Sequence, residues 1–146
     1  MSTVYGVNKT KSLTPHGSNV LERGIFGGNV HVMIDQYECA ALAAGSTIHV
    51  GQTLPAGARI LEVIISSDNL ANNTTLAVGD AEDTDRYITA IDHGAAAVTT
   101  RLNAVNGLGY VVDMTTAATP DNQILITTAA GEATGTINIV IIYAND

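Results

Sequence analysis

The sequence contains few aromatic, charged and cysteine residues. Aromatic residues make up 4% of the chain and tryptophan is absent, so the apolar share of 46% consists largely of small and β-branched side chains, which are typical of β-sheets. The single cysteine, Cys39, excludes a disulfide within the chain, and the fold must therefore depend on packing or on assembly. Charged residues make up 14%, below the ~25% that is usual, which favours a surface that contacts other proteins.

Long apolar segments are also missing. No run reaches the roughly 18 residues of a membrane span, and the N-terminal sequence MSTVYGVNKTK lacks the apolar core of a signal peptide. We therefore expect synthesis in a cytoplasm, with no membrane partner. The 146 residues are the length of one domain, which can bury a core without metals or disulfides.

Charge is distributed unevenly along the chain. The net charge of −8 and the pI near 4.7 predict no nucleic-acid partner, because neutralising phosphates requires clustered Lys and Arg. Residues 1–28 contain three basic residues and one acidic residue, whereas residues 29–146 contain three basic and thirteen acidic residues. The chain therefore combines a cationic segment of charge +2 with an anionic body of charge −10.

Residues 1–28 carry apolar side chains without a regular spacing, interrupted by glycines. A flexible tail gains little from such apolar surface, whereas a segment that becomes ordered against a partner uses it for contact. We therefore predict an extended N-terminal arm that binds another protein. Its candidate contact residues are one tyrosine, three cations and three further apolar residues, namely Tyr5, Lys9, Lys11, Leu13, Arg23, Ile25 and Phe26.

From residue 29 onward, short β-branched runs alternate with turn signals. This spacing predicts an all-β body, residues 29–146, that forms an antiparallel β-sandwich of the jelly-roll type. The predicted strands are 30–37, 47–50, 59–66, 74–78, 86–91, 97–102, 109–114, 123–128 and 136–143. The most continuous apolar run, 59–66, is the predicted central strand.

The first predicted strand has an alternating pattern. Val30, Val32 and Ile34 occupy every second position, which predicts a strand with one face in the core. Residues 37–44, which follow, contain Ala, Leu and Glu and so favour a helix. Because this segment is short, both a strand continuation and a single helical turn remain open.

The last two predicted strands are joined by AAGEATG, which predicts a β-hairpin with a longer loop. A sandwich of this kind has exposed strand edges. Since the chain is rich in alanine and poor in charge, we expect these edges and faces to be contacts between subunits, which a closed homotrimer would bury symmetrically.

Four carboxylates lie within six positions of one predicted loop, namely Asp80, Glu82, Asp83 and Asp85. Such oxygens are ligands for calcium, so these residues are a weak calcium candidate. The order Asp-x-Asp-x-Asp-Gly is missing, however, and Ile91 stands where a bidentate Glu would be needed. The favoured interpretation is a solvated loop in which Arg86 pairs with a neighbouring carboxylate and helps to fix the turn.

Residues of catalytic type are scattered. The four histidines, at positions 16, 31, 49 and 93, have no metal-ligand spacing and fall in different predicted elements. Cys39 lies in an alanine-rich run, which is typical of a small buried residue and not of a nucleophile. We therefore predict no enzymatic activity, no metal and no cofactor.

Several segments together resemble the head decoration, or cement, proteins of tailed bacteriophages. They are 3–10 (TVYGVNKT), 43–48 (AAGSTI), 54–58 (LPAGA), 76–80 (LAVGD), 85–88 (DRYI), 121–128 (DNQILITT) and 135–137 (GTI). The likeness covers most of the chain. It implies a β-sandwich subunit, commonly trimeric, that sits where capsid subunits meet, and it implies no active-site residues.

Our leading hypothesis is a virion protein on the outer surface of a phage head, where a homotrimer stabilises the shell and its arms lie across the major capsid protein. The alternative is a head-fibre or adhesion-type module that binds a carbohydrate or receptor. Sugar sites usually present aromatic platforms, whereas the tyrosines of the predicted body are spread over separate strands. A jelly-roll metal enzyme would need histidines on facing strands, and a bacterial shell or pilus-like subunit also remains open.

Overall fold

The computed structural model describes residues 28–113 and 121–145, which form eight β-strands and no helix. The strands, in chain order, are β1 (Asn29–Leu42), β2 (Thr47–His49), β3 (Arg59–Ser67), β4 (Thr75–Gly79), β5 (Ile88–Asp92), β6 (Val98–Arg101), β7 (Leu125–Ala129) and β8 (Ala133–Asn145). Without a helix in these ranges, the described chain has no helical segment able to cross a membrane. The predicted arm lies outside them, apart from Gly28.

The strands form two four-stranded antiparallel sheets. Sheet 1 has the order β1-β8-β3-β6 and sheet 2 the order β2-β7-β4-β5. This interleaved order is that of an eight-stranded jelly roll. The structure therefore confirms the all-β sandwich predicted from the sequence.

The core lies between the sheets and consists mainly of aliphatic side chains. Alternate residues point into it over 63–67 of β3 and 137–141 of β8, as expected for extended strands. Fully buried members are Ile60, Val63, Ile65, Leu76, Val78, Ile88, Ile124, Ile126, Ile137, Ile139 and Ile141. Each such side chain contributes about 1.5–3 kcal/mol by leaving water.

The predicted core face of β1 is wrong. Val30, Val32 and Ile34 are between 59% and 73% exposed. The cause is the register with β8, since Val32 pairs with Ile142 and Ile34 with Val140. Paired residues of antiparallel strands share a face, and β8 turns its other face, with the fully buried isoleucines, inward.

The predicted C-terminal hairpin is also wrong. β7 belongs to sheet 2 and β8 to sheet 1, so residues 130–132 carry the chain from one sheet to the other. β7 is paired on both sides by β2 and β4, and β8 by β1 and β3. These long-range partners occupy both edges of each strand, which leaves no edge for a β7–β8 pair.

Two further predictions concern irregular segments. Residues 37–42 continue β1 as a strand, with a register shift between Cys39 and Leu42, so the strand alternative is right. The predicted strand 109–114 is wrong for its described part, 109–113, where only an isolated bridge joins Val111 to Arg59. Gly109 has a φ of +76°, a turn conformation that interrupts an extended strand.

Candidate interaction surfaces

The acidic loop between β4 and β5 is built around one buried carboxylate. Asp80 is fully buried, and its Oδ1 accepts the backbone N–H groups of Glu82 and Asp83, both at 3.0 Å. The guanidinium of Arg86 donates to both carboxylate oxygens, and the Tyr87 hydroxyl lies 3.4 Å from Oδ2. The predicted pairing of Arg86 with a neighbouring carboxylate is therefore present, and it closes the loop.

The network around Arg86 extends to a second buried carboxylate. Tyr110 donates its hydroxyl to Oδ2 of buried Asp121 at 2.6 Å, and its ring meets that of Tyr87 edge to face at 6.3 Å between centroids. Burial raises the pKa of Tyr87, and burial followed by the bond to Asp121 raises the pKa of Tyr110. Burial by itself would lower the pKa of Arg86, but the bond and charge of Asp80 raise it. Both tyrosines stay neutral and Arg86 stays charged.

The four carboxylates of the calcium candidate do not converge on one point. Asp80 faces inward, Glu82 approaches Arg86 at 3.4 Å, and Asp83 and Asp85 lie near the surface. The pKa of Asp85 is raised, chiefly by its hydrogen bond with the Asp83 side chain. Across residues 28–113 and 121–145, no three His, Cys, Asp or Glu side chains form a group that could hold a metal ion.

The other residues of catalytic type do not converge in the part of the chain that the structure describes. His31 is exposed and stacks on Tyr143 at 5.2 Å between centroids, and His49 is exposed on β2. His93 is fully buried and bonded to Ser67. Cys39 is buried, as predicted, and burial raises the pKa of its thiol. His16 and the seven candidate arm residues lie outside the described residues.

The face of sheet 1 that points away from the core is apolar near its β1 edge. It is formed by residues of β1, β3 and β8 that share the outward face, namely Val30, Val32, Ile34, Ile64, Val140 and Ile142. At the other side of this face, Glu62 and Arg101 form an ion pair. β1 is also an edge strand of 14 residues, and long exposed edges of this kind are contact sites in proteins.

A groove runs beside this edge between β1 and the loop that follows β2. Its volume is about 430 Å³. It is lined by apolar and polar residues, namely Val32, Met33, Ile34, Asp35, Gly51, Gln52, Thr53, Leu54 and Tyr143. We call it the β1 groove. Gly51 allows the loop to approach, because it has a φ of +64° and a Cβ there would overlap the Met33 side chain.

A second apolar feature lies at the opposite edge of the sandwich, in the loop after β6. Val105 is 93% exposed and Leu108 is 67% exposed. We call residues 103–108 the β6 tip. The sequence carries a signal for it, since valine and leucine are unusual within the turn-like segment NAVNGLG. No local sequence pattern indicates the contact between Gly51 and Met33 that shapes the groove.

Three solved structures with a similar fold come from phage capsids. One chain of the capsid asymmetric unit of cyanophage Pam1 aligns over 83% of this chain and 88% of its own length, with 26% identity and a TM-score of 0.68. A chain of the capsid of Ralstonia phage GP4 aligns over 82% and 86%, with 21% identity and a TM-score of 0.60. A chain of the capsid of Helicobacter pylori bacteriophage KHP30 aligns over 80% and 87%, with 12% identity and a TM-score of 0.56.

A comparison with protein-family models and with curated proteins gives no match. Similarity to known proteins therefore rests on these solved structures. The Ralstonia phage GP4 and phage KHP30 chains share the fold. The cyanophage Pam1 chain shares the fold and is also identical at 26% of the aligned positions.

Proposed function

We propose that this chain is a structural protein of a phage virion, and more narrowly a decoration subunit that binds the outer surface of the head and stabilises the shell. The observation that carries the proposal is the similarity, over most of both chains, to a chain of the cyanophage Pam1 capsid. The scattered His, Cys and carboxylate side chains of the described body also argue for a binding role and against an enzyme.

The surface of the described body suits a protein that works by contact. It combines an exposed apolar sheet face, a long edge strand and a projecting apolar tip. A subunit that binds only the assembled lattice shifts the assembly equilibrium towards the shell by mass action. Stabilisation of a capsid in this way needs neither chemistry nor a cofactor.

The alternative of a carbohydrate-binding module gains no support from the aromatic residues. Tyr87 is fully buried, and the hydroxyl of Tyr110 is bonded to Asp121 in the network below the surface. Neither ring is available as a flat platform for a sugar. Tyr143 lines the β1 groove and stacks on His31, and Tyr37 is an isolated exposed ring on β1.

In this proposal the N-terminal arm makes the contact with the major capsid protein. Leu13, Ile25 and Phe26 would supply apolar anchors, and Lys9, Lys11 and Arg23 would meet an acidic shell surface. The described chain begins at Gly28, immediately before edge strand β1. The attachment point of the arm, Gly28, therefore lies at the rim of sheet 1.

The test is a binding assay with purified phage heads that lack this protein. The full chain is compared with a chain lacking residues 1–28, and with a variant in which Lys9, Lys11 and Arg23 are changed to Glu. A variant with Lys9→Arg and Lys11→Arg, which keeps the charge, is the matched control. We expect the full chain and the control to bind and to protect the heads against heat, and the other two to lose binding.

Two outcomes would contradict parts of the proposal. Decoration of heads by the truncated chain would remove the arm from the contact while leaving the virion role intact. A folded full-length chain that neither binds heads nor protects them would contradict the decoration role itself.

A further inference from the structure

We propose that the end of the sandwich around His93 is an acid-sensitive latch, in which protonation of the His93 imidazole favours an open state with three loops separated and the two sheets still packed. The loops are residues 68–74, 93–97 and 130–132, and each carries the chain from one sheet to the other. We call them the crossing links. The latch is a property of the body alone and does not depend on the proposed function.

The imidazole of His93 is hydrogen-bonded at one nitrogen only. Its Nδ1 lies 2.8 Å from Ser67 Oγ, and the same Oγ donates its hydrogen to the carbonyl of Asp68 at 2.8 Å. Because a hydroxyl has a single hydrogen, the imidazole donates Nδ1–H to Ser67, which leaves Nε2 unprotonated. Nε2 is buried and has no hydrogen-bond partner among residues 28–113 and 121–145. A proton taken up by His93 therefore goes to a buried atom without an acceptor.

The charged groups of the crossing links do not compensate for such a proton. The exposed carboxylates of Asp68 and Asp92 each accept a backbone N–H, at 3.1 and 2.8 Å, and Glu132 is exposed in the third link. None of these carboxylates is bonded to Nε2. Burial lowers the pKa of His93, and the opposing charge of Asp92 does not cancel this decrease. The proton is therefore accepted more readily when His93 reaches water.

The backbone of His93 connects the crossing links to one another. Its N–H donates to the Thr74 carbonyl at 2.8 Å, and its carbonyl accepts the N–H of Leu70 at 2.9 Å. The Leu70 carbonyl in turn accepts the N–H of Thr134 at 3.1 Å, two residues beyond the third link. Movement of His93 towards water therefore breaks the contacts that hold the three links together.

The first crossing link contains a strained turn. Ala71, Asn72 and Asn73 have φ angles of +63°, +52° and +56°. Three consecutive non-glycine residues in the left-handed region are unfavourable, and they persist only where surrounding contacts impose them. Those contacts come from the other two links. Gly94 lies so close to Asn73 that a Cβ would overlap its backbone, and Gly131 is equally close to Asn72. Separation of the links releases this strain, which favours the open state.

Opening should stay local to this end of the sandwich. The core between the sheets consists mainly of aliphatic side chains that do not titrate, among them Ile65, Ile126 and Ile139. Their burial stabilises the two packed sheets independently of pH. A segment held by few contacts opens at a lower free energy than the core, so the crossing links separate before the sheets do.

The test is amide hydrogen exchange of the full chain at about pH 7.5 and about pH 5, measured by mass spectrometry and corrected for the pH dependence of chemical exchange. In the open state the imidazole has its ordinary pKa of about 6.5, so the open population rises by up to about 30-fold between the two conditions. We expect exchange in the crossing links to accelerate by up to this factor. Exchange in residues 63–67 and 137–141, in the core-forming parts of β3 and β8, should not change.

A His93→Asn variant identifies the source of the effect. The side-chain amide nitrogen of Asn can replace Nδ1 in the bond to Ser67, but it takes up no proton. We expect the crossing links of this variant to exchange equally at both pH values. His49→Asn, at an exposed position of β2, is the matched control and should keep the acceleration. If the links of His93→Asn still open in acid, another group such as Asp68 or Asp92 is titrating, and the latch is overturned.

A pH series on the unaltered chain provides a second test, which holds even if His93→Asn does not fold. The corrected exchange rate of the crossing links should be constant above about pH 6.5 and rise below it, by up to tenfold for each pH unit. A rise that begins only near pH 4, where carboxylates titrate, overturns the role of His93. Equal acceleration in the links and in the core strands indicates global unfolding, and it overturns the local latch.

Discussion

The guanidinium carbon of Arg86 lies 4.0 Å from the centroid of the Tyr110 ring, within the range of a cation–π contact. Arg86 belongs to the acidic loop and Tyr110 to the segment that follows the β6 tip. Because Arg86 also binds Asp80, and Tyr110 binds Asp121, the pair connects two loops that are distant in sequence. The network therefore supports the tip as well as the acidic loop.

Asp80→Asn should destabilise the fold strongly. The amide cannot match the five contacts of the carboxylate, and it removes the buried counter-charge of Arg86, which keeps only the longer contact to the more exposed Glu82. Breaking a buried ion pair costs about 3–5 kcal/mol, and urea unfolding measures the loss. Asp83→Asn, near the surface of the same loop, is the control and should change the free energy of unfolding only slightly. Equal losses in the two variants would contradict the central role of Asp80.

Neighbouring isoleucines of β3 should differ in their contribution to stability. Ile65 is fully buried in the core, whereas Ile64 faces outward and is only partly buried. Ile65→Ala should lower the free energy of unfolding by about 2–5 kcal/mol, and Ile64→Ala should lower it by much less. Urea unfolding of the two variants at equal protein concentration checks the register of β3. A larger loss for Ile64→Ala would reverse the assignment of the two faces.

The free energy of unfolding should decrease as the pH is lowered, because of His93. Its Nδ1 lies 2.8 Å from Ser67 Oγ, which donates to the Asp68 carbonyl, and within the described residues its buried Nε2 has no partner. Burial lowers the pKa of His93 below its ordinary value of 6.5. The unfolded chain then takes up a proton that the folded chain does not, so stability decreases as pH falls below about 6.5.

The measurement is the urea midpoint between about pH 7 and pH 5, a range in which unperturbed histidines titrate. His93→Gln removes the titrating group, and its midpoint should change less over this range than that of the unaltered chain. His49→Gln, at an exposed position, is the control and should keep the original dependence. If the urea midpoint of His93→Gln changes with pH as much as that of the unaltered chain, His93 is not the source of the pH dependence.

Cys39 should be chemically inert in the folded protein. Its side chain is 1% exposed, and burial raises the pKa of the thiol, which disfavours the reactive thiolate. Alkylation with iodoacetamide, followed by mass spectrometry, should be slow until urea unfolds the chain. In a His31→Cys variant, the added thiol lies exposed on the same strand and should react at once. Rapid native-state labelling of Cys39 would contradict its placement in the core.

Much of the local structure could be predicted from the sequence. The strand positions follow from alternating β-branched runs, and all eight observed strands overlap a predicted segment in the expected order. The ninth predicted segment, 109–114, is not a strand in its described part. The burial of Cys39 and the pairing of Arg86 with a nearby carboxylate were also predictable. These features depend on neighbours in sequence, whose chemistry is visible without coordinates.

The candidate surfaces could not be predicted in the same way. The sequence placed Val32 and Ile34 in the core, but pairing with β8 turns them outward. The β1 groove needs Gly51 to meet Met33, and the β6 tip needs the support of Tyr87. Each of these contacts joins residues from separate elements.

The sequence by itself determined that this protein is an all-β body with an acidic charge, a cationic N-terminal segment and no disulfide, because composition and short-range periodicity carry that information. Only the tertiary structure decided which faces are buried and which strands are neighbours. It assigned β7 and β8 to different sheets and left the apolar row of β1 exposed. The physical reason is that a strand's hydrogen bonds are satisfied by partners distant in the chain, and a shift of one residue in register exchanges its two faces.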